Sequence, residues 1–167
     1  MKGGNKKMQY VGLDIHKNFS YGVVKDKEGN ILAESRFDNE KEQFKIFLNE
    51  FHPSETKIVM ESTGVWEWIY EFLEEEGYNV ILANPIRTKA IASAKKKTDK
   101  IDASILADLL RANLIAESYV PPKEIRKLRE LVRQRKTLVK CRTEISNKIH
   151  AILIQKQNGL RMQWTTL

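Results

Sequence analysis

Cysteine is almost absent. The single thiol, Cys141, excludes an internal disulfide and a zinc cluster built on several thiolates, and it fits a reducing, intracellular setting. Long apolar runs are absent too, and no stretch approaches the roughly 18 residues that a membrane span needs. The start, Met1-Lys-Gly-Gly-Asn-Lys-Lys7, is basic, but Gln9, Asp14 and His16 break the apolar segment that an export signal requires. Proline is scarce and falls at Pro53, Pro85 and the tandem Pro121-Pro122, each of which reads as a boundary. There is no internal repeat and no low-complexity tract. What is present is globular: 41% hydrophobic and 31% charged residues in a chain of 167, too apolar for a disordered polymer and long enough for one domain with an appendage.

The net charge of +7 is unevenly spread. Residues 1–122 carry 17 Lys and Arg against 19 Asp and Glu, while residues 123–167 carry 12 against 3, so the basic excess belongs to the last quarter of the chain. A polyanionic partner for that quarter is one reading, and a solvated helix face is the other.

Hydrophobic periodicity orders the elements. Strands are expected at Tyr10–Asp14, Ser20–Lys25 and Ile31–Phe37, with turn residues at Asp26–Asn30 joining the last two as a meander. A helix is expected over Asn39–Phe51, a strand over Lys57–Glu61 and a helix over Val65–Glu76, with Gly77 as its cap. A strand over Tyr78–Leu82 and a short helix over Ile86–Ala94 follow. Thr98 is the expected N-cap of a helix from Asp99 to Ala112. Past Pro122, Leu131, Leu138, Ile145 and Ile152 recur every seven residues on a long basic amphipathic helix, with Arg135 and Arg142 interrupting the row. The implied organisation is an α/β domain over 8–120, a coiled-coil-type oligomerisation helix over 121–157 and an unpatterned tail over 158–167. Three meander strands followed by strands alternating with helices predict a mixed five-stranded sheet with flanking helices, the ribonuclease-H-like order.

Four carboxylates stand out on this layout. Asp14 and Glu61 close two strands that lie parallel and adjacent in such a sheet, so their side chains meet at one crevice. Asp99 and Asp102, three apart, share one face of a helix. Converging carboxylates repel one another, and divalent cations relieve that repulsion: magnesium or manganese, two ions, activating an attacking oxygen and stabilising a leaving one on a phosphodiester. Taken singly, each acid has a plainer role: Asp14 a turn residue, Glu61 an exposed strand end, Asp99 a helix-start charge, Asp102 a partner of Lys100 or Arg111. His16 leaves its strand on the same side as Asp14 and reads as a polar edge residue or substrate contact rather than a metal ligand. Ser62-Thr63-Gly64 reads as a helix cap, with phosphate binding as the second option.

At Gly12-Leu-Asp-Ile-His-Lys17, Glu61-Ser-Thr-Gly64 and Lys97-Thr-Asp-Lys-Ile-Asp-Ala103 the sequence resembles the DEDD-type transposases of bacterial and archaeal insertion sequences, the group numbered one hundred and ten. The resemblance covers about residues 8–155. It implies a RuvC-like catalytic domain in which Asp14, Glu61, Asp99 and Asp102 are the catalytic and metal-holding acids. It also implies a cytoplasmic recombinase, at the nucleoid when acting, that cuts and rejoins DNA as a dimer or tetramer under a structured bridge RNA. Members of the family carry a further C-terminal domain with a nucleophilic serine. No serine here takes that role, and the expectation is a truncated copy, an isolated domain or a remnant.

Two other readings compete. An actin-like kinase or ATPase also ends its first strand in Asp, but usually follows it with Gly and Thr or Ser, where this chain has Ile15-His-Lys-Asn18. A non-catalytic nucleic-acid-binding module would leave the acids idle. For nucleic acid, the candidate contacts are Lys95, Lys96, Lys97, Arg126, Arg129, Arg133, Arg135, Lys136, Lys140 and Arg142. The helix over 121–157 has no aromatic residue to stack on single-stranded bases, so a folded RNA or a DNA duplex is the expected ligand.

Overall fold

The protein is described from a computed structural model, which covers residues 8–62, 64–91 and 98–164. Strands β1 (Gln9–Ile15), β2 (Phe19–Lys25) and β3 (Ile31–Asp38) form an antiparallel meander. Its second turn is set by Gly29 at φ 94° and by the Asp26 carboxylate, which accepts from the Asn30 amide at 2.8 Å. Helix α1 (Lys41–Leu48) leads to β4 (Thr56–Glu61), parallel to β1, and α2 (Trp66–Glu75) leads to β5 (Asn79–Ala83), parallel to β4. Helices α3 (Pro85–Ile91), α4 (Asp99–Arg111) and α5 (Lys123–Trp164) complete the chain, and the sheet order is β3-β2-β1-β4-β5.

Strand alternation divides the sheet into two unlike faces. Val11, Leu13, Ile15, Ile58, Met60, Val80 and Leu82 point to one side and pack with Phe44 and Leu48 of α1 and Ile69, Phe72 and Leu73 of α2. The other side is thinner: Val59 and Ala83 meet Leu106 and Leu110 of α4, with Tyr10, Ile81 and Ile115 at the margin. Gly12 belongs to this second side, and a Cβ there would lie 2.1 Å from the Ala103 carbonyl and 2.6 Å from the Ala107 amide. Only a residue without a side chain lets α4 lie directly on β1.

The caps account for where helices stop and start. Gly77, at φ 88°, ends α2 in the left-handed conformation, as its sequence position implies, and Asn113 (φ 56°) does the same for α4. The Thr98 hydroxyl accepts from the Ile101 amide at 3.3 Å. The break at Pro53 is a 3-10 turn, Pro53–Glu55, with the His52 ring accepting from the Ser54 amide. Ser62 and Gly64 do not cap α2, whose N-cap is Val65 with no side-chain hydrogen bond; Thr63 lies outside the described residues. After α4, an isolated bridge between Ala83 and Glu117 covers the β5 edge. The chain divides between Val120 and Pro121 into two units. The second is α5, which runs on through Gly159 to Trp164, where the sequence shows no pattern. One glycine costs a helix about 1 kcal/mol and does not by itself end it. No helix among the described residues is long and apolar enough to cross a membrane.

Candidate functional site

The carboxyl end of β1 brings Asp14 together with Asp99 of α4. Asp14 shares the second face with Gly12, two residues before it, so its side chain points toward the start of the helix that Gly12 admits. Glu61 lies one residue past the Leu13–Met60 pair on β4, as Asp14 does on β1. The two acids therefore occupy matching positions on neighbouring parallel strands, on one face of the sheet. On α4, Asp99 and Asp102 fall in the first turn, and the Asp102 amide donates to the Thr98 carbonyl at 2.9 Å.

Asp14, His16 and Asp99 form a tight group, each offering one ligand atom with all three within 4.8 Å of one another. The His16 Nε2 is 3.1 Å from Asp14 Oδ2 and 3.3 Å from Asp99 Oδ1. The Asp14 pKa stands above the ordinary 3.8: burial raises it most, and the charges of Asp102 and Asp99 raise it further, against the opposing pull of His16. Asp102 thus acts on Asp14 electrostatically from outside the three-residue group.

His16, expected as a polar edge residue or substrate contact, stands beside both Asp14 and Asp99. Its side of the strand was legible, but the approach of α4 that brings Asp99 within reach was not. The loop holds it firmly. Its amide donates to the Phe19 carbonyl at 2.9 Å, and its own carbonyl accepts from Asn39 Nδ2 at 2.8 Å. Asn39 is fixed in turn by the Ser20 hydroxyl at 2.6 Å, and the imidazole stacks on Phe19 with centroids 4.5 Å apart.

Polar clamps tie α4 to the meander. Buried Lys25 reaches Asp108 at 2.5 Å, Lys100 pairs with Glu34 at 2.5 Å, and Arg111 donates to the Lys27 carbonyl at 3.2 Å. Lys25 and Asp108 carried no functional signal in the sequence, yet they help set the height of α4 on the sheet. Of the expected nucleic-acid contacts, Lys95, Lys96 and Lys97 lie outside the described residues. Arg129, Arg133, Arg135, Lys136, Lys140 and Arg142 are exposed on α5, and Arg126 is half-buried, donating to the Pro121 carbonyl at 2.9 Å.

The IS110 DEDD transposase family matches residues 11–157. The transposase for insertion sequence element IS1533 of Leptospira borgpetersenii is 32% identical over 139 residues, which cover 80% of this chain and 40% of that protein. Among solved structures, RuvC of Thermus thermophilus in complex with a Holliday junction substrate superposes with a TM-score of 0.50 at 12% identity, covering 66% of this chain and 99% of that one. The fold is that of a RuvC-like, ribonuclease-H-like α/β domain carrying a long additional helix. The chain belongs to the IS110 DEDD transposases, which sets aside the actin-like reading. It spans about two fifths of the length of the curated relative it matches.

Proposed function

We propose that the chain is the metal-dependent catalytic domain of an insertion-sequence transposase, cleaving and transferring DNA strands at the acidic site. The observation that carries this reading is the meeting of Asp14 and Asp99 beside Asp102, with Glu61 in register on the adjacent strand. Asp14, Glu61, Asp99 and Asp102 are the proposed catalytic and metal-holding residues. Two ions, magnesium or manganese, fit this set of oxygen donors, and His16 adds a nitrogen that manganese accepts more readily than magnesium. When bound, such ions polarise a phosphodiester and lower the pKa of an attacking water or hydroxyl. The chain's own contribution is to hold the carboxylates together against their repulsion, with Gly12 and the α4 clamps fixing the distance.

The raised Asp14 pKa supports this reading, because an acid held in unfavourable company gains from a cation. The partners we propose are DNA at the acidic site, a structured guide RNA on the basic α5 and further copies of the chain along the row Leu131, Leu138, Ile145 and Ile152. Calorimetric titration with Mn2+ and Mg2+ tests the metal site. Wild type should take up the ion, and Asp14→Ala and Asp102→Ala should each lose it or bind at least about tenfold more weakly. Unchanged uptake in both variants would leave the protein a binding module with idle acids.

A further inference from the structure

Three strands of the sheet put one side chain each into a single row on the face that carries Asp14. Asp14 stands opposite Tyr21 on β2, and Tyr21 stands opposite Arg36 on β3. Cross-strand partners share a face, and adjacent strands lie about 4.8 Å apart, so Arg36 sits about 10 Å from Asp14 along the row. A second path links the same end points. The Arg36 guanidinium carbon is 3.8 Å from the centroid of the Phe19 ring, and the His16 imidazole stacks on that ring at 4.5 Å. Two planar groups at those distances cannot occupy one face of a phenyl ring, so Phe19 is sandwiched between them. The sandwich is a fixed spacer running from the acidic group to an arginine.

Arg36 is exposed and forms no ion pair with another described residue. Glu34, two residues away on the same face of β3, is taken by Lys100. A free arginine on an edge strand would ordinarily sample many rotamers, and ordering it on binding would offset much of the contact. Stacking on Phe19 removes most of that loss beforehand. The outer edge of the guanidinium keeps its donors, in the planar fork that matches two oxygens of a phosphate.

From this arrangement we infer that Arg36 is a phosphate-gripping residue for the DNA strand engaged at the acidic site. It seats a backbone phosphate beside the one over Asp14 and so sets where the strand falls along the row. It is a positioning residue, reading charge and not sequence. The inference rests on the nucleic-acid reading above and adds to it the direction in which the strand crosses the sheet: from Asp14 over Tyr21 toward β3.

The test uses the full chain with Arg36→Ala, Arg36→Lys and Phe19→Leu, each checked for an unchanged melting temperature. Binding to a DNA duplex and a matched RNA duplex is measured in EDTA over a series of KCl concentrations, and Mn2+ uptake is measured separately by calorimetry. Arg36→Ala should weaken DNA binding at least about tenfold, as expected for one charged hydrogen-bonded contact. It should also reduce the salt slope by about 0.9, one phosphate on a duplex, while leaving Mn2+ affinity within about twofold. Arg36→Lys should recover less than half of the loss, because a lysine neither stacks nor forks. Phe19→Leu should weaken DNA binding in the same direction, although it removes no charge. Unchanged affinity and slope in Arg36→Ala, or a loss confined to RNA, would overturn the inference. A wild-type chain that takes up no Mn2+ would sink the acidic-site reading separately, since the Arg36 comparison is made without metal.

Discussion

At the scale of single residues, the site is a balance of burial and charge around Asp14. The folded protein holds the Asp14 proton more tightly than the unfolded chain does, because burial and two neighbouring carboxylates penalise the anion. The resulting contribution to stability is present below the ordinary aspartate value of 3.8 and is lost as pH rises through the raised one. In EDTA at neutral pH, Asp14→Asn should therefore melt above the wild type, and the advantage should vanish in acid. Saturating Mn2+ should reverse the order, since an ion at 100 times its Kd stabilises the form that binds it by about 2.7 kcal/mol. A variant that melted below wild type in EDTA at neutral pH would show that Asp14 is a structural acid. The four acids could be picked out because each lies beside a strand end or helix start. The closeness of His16 to Asp99 could not be read, since Asp99 lies 83 positions along the chain and arrives only through the packing of α4.

At the scale of elements, α4 decides whether the acids meet, and Gly12 decides where α4 lies. A methyl group at Gly12 would collide with helix backbone at 2.1 and 2.6 Å, which cannot yield without moving α4. At Gly22, also in a strand, the added carbon would meet the Phe47 ring at 2.5 Å, and a side chain can turn aside. Gly12→Ala should thus cost about 3 kcal/mol in urea unfolding and weaken Mn2+ uptake, while Gly22→Ala should cost nearer 1 kcal/mol and leave uptake alone. Equal costs, or normal uptake in Gly12→Ala, would show that the helix height does not govern the site. This was partly legible: a glycine between Val11 and Leu13 in a strand signals close approach, but the sequence does not name the approaching element. Element order was readable because periodicity is local and strong, and Gly77 and Thr98 cap where their chemistry suggests. The Pro53–Glu55 turn, the Ala83–Glu117 bridge and the helical run from 158 to Trp164 were not. Each depends on contacts or helix propagation that leave no periodic trace.

At the scale of the whole molecule, α5 carries an apolar row, interrupted by Arg135 and Arg142, and further basic residues away from it, and the two lead to separate predictions. Leu131, Leu138, Ile145 and Ile152 are between 55% and 70% exposed in the single chain, a row that a partner helix would cover. Leu138→Asp with Ile145→Asp should shift the solution mass by light scattering toward monomer; an unchanged mass would mean that copies do not associate through this row. The basic residues bear on nucleic acid. Arg133, Lys136 and Lys140 are exposed, and the one ion pair found for them among the described residues, Lys140 with Glu144 at 3.9 Å, is a surface pair too weak to neutralise the helix. A strand of phosphates along such a helix releases counterions, so affinity should fall by about 0.7 to 0.9 log units per tenfold salt for each phosphate neutralised. Reversing all three charges should lower the affinity for a structured RNA and flatten its slope by two to three contacts' worth, about 2 log units per tenfold salt. The same triple reversal should leave Mn2+ uptake at the acidic site intact, because these three residues belong to the second unit and the proposed ligands to the first. Filter binding of a structured RNA and a matched DNA duplex over a salt series distinguishes the outcomes. A larger loss for RNA than for DNA assigns α5 to a guide RNA. Equal losses assign it to DNA or to phosphate backbones in general, and a slope near zero for both makes the basic surface a solvated face of the helix.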